Sequence, residues 1–62
     1  MPPSGKEMLK RFQRAGWAVL TRRGSHVKIG RGCLREVIPM HLELNKGLER
    51  ELLKRLQNEA RQ

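Results

Sequence analysis

The sequence predicts an α+β domain of order α-β-β-β-α, in which a three-stranded antiparallel sheet carries two helices on one face. Apolar residues recur at steps of three and four in one segment near each end of the chain. Between those segments lie three short runs rich in β-branched residues. The runs are joined by tight glycine-containing connections, Arg22-Arg23-Gly24 and Gly30-Arg31-Gly32, which favour an antiparallel meander. With 62 residues, the chain is read as one domain over 1–62. A domain of that size has a thin core and marginal stability.

The first helix is expected to begin at Ser4. Ser4-Gly5-Lys6-Glu7 has the form of a capping box, in which the hydroxyl accepts from a backbone N–H three residues on and the glutamate reaches back. Met8, Leu9, Phe12 and Ala15 make one apolar face, and Lys6, Lys10, Arg11, Gln13 and Arg14 fill the other. Gly16 suits the helix stop, where a left-handed backbone favours glycine. Trp17 to Thr21 reads as the first strand. Trp17 is a candidate base-stacking ring, but a chain with one Trp and one Phe needs both in its core, and that is where it is expected.

From Ser25 to Ile29 the residues alternate, so that Ser25, Val27 and Ile29 point one way and His26 and Lys28 the other. Cys33 to Ile38 reads as the third strand, with Cys33 filling space on it and Pro39 closing it. Met40 to Asn45 is a loop holding His41, and Asn45 is placed to cap the last helix. In that helix Leu48, Leu52, Leu53 and Leu56, extended by Ala60, form a stripe suited to packing on the sheet. The stripe is too short for a coiled coil, and the free chain is expected as a monomer or weak dimer. Glu51 and Arg55 have the spacing of a helical ion pair.

Charge narrows the function. The net charge is +8, and residues 1–41 hold nine Lys or Arg against two Glu, whereas residues 42–62 hold five against four. Such a field favours a polyanionic partner, nucleic acid before an anionic membrane. The single cysteine excludes an internal disulfide, and no apolar run resembles a signal peptide or a membrane span, which fits a cytoplasmic protein. There is no HExxH, no CxxC and no acidic cluster, so neither a metal nor another cofactor is expected. No glycine-rich phosphate cradle precedes a helix, which argues against nucleoside triphosphate chemistry.

The groups left for proton transfer are His26 and His41. An imidazole near neutral pH can take the proton from a ribose 2′-OH, which then attacks the adjacent phosphate. RNA carries its own nucleophile, so this cleavage needs no metal. Arg22, Arg23, Ser25, Lys28 and Arg35 are the candidate RNA-binding residues around His26, the cations among them holding phosphate. The competing expectation is that His26 is an ordinary exposed strand residue on a non-catalytic RNA-binding module. A DNA-binding protein ranks last, because two helices separated by three strands do not form a helix-turn-helix.

Gly24-Ser25-His26, then Val37-Ile38-Pro39-Met40-His41, then Lys46-Gly47, with Gly16-Trp17 before them, resemble the HicA family of toxins in order and spacing. The resemblance covers nearly the whole chain. It implies a fold similar to double-stranded-RNA-binding domains and an mRNA endonuclease activity that stops translation. It also implies that His26 is the catalytic residue and that a HicB-type antitoxin covers the site. His41 matches a recurrent family histidine and is the second candidate: a general acid if it approaches His26, a loop-ordering residue otherwise. One departure stands at the last helix, where Gly47-Leu48-Glu49 replaces the family's Gly-Thr-Leu run. A double-stranded-RNA binder would need a lysine cluster at the start of that helix, and here there is one lysine beside an acid.

Overall fold

The Ser4 hydroxyl accepts from the Glu7 N–H at 3.1 Å and starts helix α1, Gly5–Arg14. At its end Trp17 N–H donates to the Phe12 carbonyl and Gly16 N–H to the Gln13 carbonyl, with Gly16 at φ 95°. That pair of bonds is a Schellman motif, and it turns the chain directly into the sheet. Three strands follow, β1 (Ala18–Arg23), β2 (His26–Arg31) and β3 (Leu34–Pro39), and then helix α2 (Lys46–Glu59). The structure, a computed structural model, describes residues 3–59; Ala60, expected at the end of the leucine stripe, lies outside them.

The strands lie in the order β1-β2-β3, with both neighbouring pairs antiparallel. The expected α-β-β-β-α order and open antiparallel sheet are therefore what the chain forms. Both helices lie on one face. Met8, Leu9 and Phe12 of α1 share a buried cluster with Val27 and Ile29 of β2, Ile38 of β3 and Leu52 of α2. Leu48, Leu53 and Leu56 pack against that cluster, half-buried. Trp17 belongs to it at 3% exposure, set edge-on to Phe12 with ring centroids 5.1 Å apart. It is a core residue, and it precedes β1 instead of opening it. Each large apolar side chain buried this way stabilises the fold by about 1.5–3 kcal/mol.

The strand limits differ from the sequence expectation in one consistent way. Arg22 and Arg23 end β1, so the first connection is only Gly24-Ser25. Gly30 and Arg31 end β2, so the second is Gly32-Cys33. Cys33 is thus an exposed turn residue and fills no space on a strand. Two-residue connections let the ladder run further than glycine placement suggested, because Gly24 and Gly32 both take positive φ at the turns. Between Val19 and Thr21 the β1–β2 register shifts, leaving Leu20 as the extra residue of a bulge.

Helix α2 is capped as expected, with Leu48 N–H donating to Asn45 Oδ1 at 2.8 Å. The expected Glu51 partner of Arg55 is replaced by Glu36 of β3, at 3.3 Å. Glu36 stands opposite Ile29, on the helix-bearing face, so this pair ties α2 to the sheet. At the other end of the sheet α1 sits so close that a Cβ on Gly5 would fall 1.9 Å from the Pro39 carbonyl oxygen. The Gly5 N–H also donates to the His41 carbonyl at 2.9 Å.

Candidate active site

His26 is the first residue of β2 and is exposed. Its strand position is held from both sides, opposite Arg23 on β1 and Pro39 on β3. The turn before it is pinned as well, because Met40 N–H donates to the Ser25 carbonyl. The consequence is a histidine displayed at the end of a three-stranded ladder with little freedom in its backbone.

Alternation then selects its neighbours. Val27 and Ile29 enter the core, which sends His26 and Lys28 to the face that carries no helix. Across the ladder Arg23 pairs with His26, and Thr21 and Val37 pair with Lys28. Thr21, Arg23, His26, Lys28 and Val37 together line one shallow depression. Its wall has an arginine, a lysine, a hydroxyl and an imidazole, and no carboxylate. Groups of these types can hold a phosphate and accept a proton beside it. Thr21 and Val37 are absent from the sequence-based site because their face depends on register.

The other candidates go elsewhere. Arg22 pairs with Val27, so it lies on the helix-bearing side, in a cleft between α1 and β1. His41 lines that same cleft and does not share the His26 depression. Its carbonyl accepts from the Gly5 N–H at the start of α1. Arg35 pairs with Gly30 on the open face, four residues along β2 from His26, or about 13 Å. Its guanidinium donates to the Gly32 and Leu34 carbonyls at 2.9 and 2.7 Å, which holds it at the far end of the sheet. Ser25 is an exposed turn residue beside His26, tied through its carbonyl. Among the described residues no group of three or more His, Cys, Asp or Glu comes together as a metal site. No helix among them is long and apolar enough to cross a membrane.

Fold and surface together define a small basic α-β-β-β-α domain with one helix-free cationic face that displays a histidine. The family model described as the HicA toxin of bacterial toxin-antitoxin systems matches residues 5–57, and the chain belongs to that family. It is accordingly a toxin of a toxin-antitoxin pair, and an antitoxin is its implied partner. No curated protein and no solved structure matches it significantly.

Proposed function

We propose that this toxin is an endoribonuclease that cleaves mRNA in the cytoplasm without a metal ion, with His26 as general base and then general acid. A HicB-type antitoxin holds it inactive. The observation that supports this most is the exposed His26 on the helix-free face, flanked by Arg23 and Lys28 in a depression free of carboxylates. The imidazole accepts the 2′-OH proton as the 2′-oxygen bonds to phosphorus. The bond to the 5′-oxygen breaks, and the imidazolium returns the proton to that leaving oxygen. The products are a 2′,3′-cyclic phosphate and a 5′-hydroxyl end. Arg23 and Lys28 offset the charge that gathers on the phosphoryl oxygens.

The test compares wild type with His26→Ala. Both proteins are checked for folding by circular dichroism and incubated with RNA, with and without chelator. Removing a general base is expected to slow cleavage by roughly 10²–10⁴-fold, with no effect of chelator on the wild type. If both proteins bind RNA and neither cleaves it, the domain is an RNA-binding module and the catalytic reading is wrong. If chelator abolishes cleavage, the metal-free mechanism is wrong.

A further inference from the structure

The cleft between α1 and β1 takes no part in the chemistry above, yet it is the more distinctive surface. Its apolar lining is Leu9, Val19, Met40 and Leu42. Val19 is 41% exposed and Leu42 92% exposed, two of the four exposed large apolar side chains among the described residues. Lys6, Lys10, Arg22 and His41 share that lining, and no carboxylate belongs to it. A cleft with apolar and cationic groups side by side offers a partner both contact area and charge.

We infer that this cleft is the anchoring site for the antitoxin, and that it takes an acidic segment of that partner bearing at least one large apolar side chain. The inference rests on the antitoxin part of the function proposed above and adds the surface used. Charge complementarity sets the acidic character, since the lining residues are cationic or neutral. The apolar lining favours peptide over RNA, because aliphatic Val19 and Leu42 pack best against an aliphatic or aromatic side chain and the cleft has no Phe, Tyr or Trp for bases to stack on. The position suits inhibition. Arg22 and Arg23 are neighbours on β1 that face opposite sides of the sheet, Arg22 into the cleft and Arg23 beside His26. A chain anchored in the cleft therefore has only the edge of β1 to pass before it covers His26.

The experiment measures the affinity of the purified cognate antitoxin for wild-type toxin, for Leu42→Asp and for Lys10→Glu, with RNA cleavage followed in parallel. Both residues are exposed and lie outside the His26 depression, and circular dichroism checks the fold. Lys54→Glu, an equal charge change on α2, controls for net charge. The expected result is antitoxin binding weakened by about ten-fold or more in each cleft variant, with wild-type affinity in Lys54→Glu and RNA cleavage unchanged throughout. Equal antitoxin affinity in wild type and cleft variants overturns the inference. So does equal weakening by Lys54→Glu, or a loss of RNA binding in the cleft variants, which would make the cleft an RNA groove. A wild-type toxin that cleaves no RNA would sink the ribonuclease reading and leave the antitoxin comparison intact.

Discussion

The two faces of the sheet are built from the same three strands and do opposite work. One face buries Val27, Ile29 and Ile38 beneath both helices. The other buries no large side chain and sets His26 and Lys28 in solvent. On β2 the two faces alternate residue by residue, so the candidate catalytic group and the core are neighbours in sequence and separate in environment. The difference teaches that one sheet can give its core to one face and its exposed polar groups to the other, with helices covering only the first. Changes on the packed face should unfold the domain, and changes on the open face should silence it while it stays folded.

The sharpest break between the faces is expected from His26→Ala, with cleavage reduced by roughly 10²–10⁴-fold and an unchanged melting temperature. A fall in melting temperature would mean that the open face also carries stability. Its opposite is Phe12→Ala. Phe12 is fully buried in the cluster, and its loss should remove about 3–5 kcal/mol, enough to unfold a marginal small domain in a denaturant titration. Gly5→Ala comes next, at about 1–3 kcal/mol, because the added methyl must displace the Pro39 backbone. A stable Gly5→Ala protein would show that α1 can shift away from β3.

Smaller effects sharpen the contrast within the open face. Arg23→Ala and Lys28→Ala should each lower RNA affinity and reduce the slope of log affinity against log salt by about 1. Arg35→Ala should change that slope less, since its guanidinium is engaged by the Gly32 and Leu34 carbonyls. Equal effects from all three would place RNA along the whole sheet instead of at its His26 end. Smallest is Glu36→Gln, which removes a half-exposed ion pair with Arg55 and should cost under about 1 kcal/mol in thermal denaturation.

Much of this was legible in the sequence because it depends on local rules. Ser4 and Asn45 cap their helices through their own side chains, and Gly16 ends α1 through its own backbone freedom. The apolar spacing of Met8, Leu9 and Phe12 marks the buried side of α1 whatever it packs on. His26 opposite Val27 and Ile29 follows from strand alternation alone. The Arg55 partner was not legible, because Glu36 is distant in sequence and near only once α2 lies on the sheet. Cys33 lies in the turn instead of on β3 because glycine spacing predicts where turns occur better than where strands stop.

By itself the sequence determined the order of elements, the caps, the core residues of α1 and of the strands, and the exposure of His26, since each follows from the chemistry of a residue and its near neighbours. Leu44, buried from the loop before α2, was placed in the core only by the fold. Which arginine stands beside that histidine was decided only in the folded sheet. The extra residue at Leu20 reverses the alternation of β1, so that Arg23 reaches the open face and Arg22 the cleft behind it. A bulge is a mismatch between two paired strands, and no single strand carries the information that sets it.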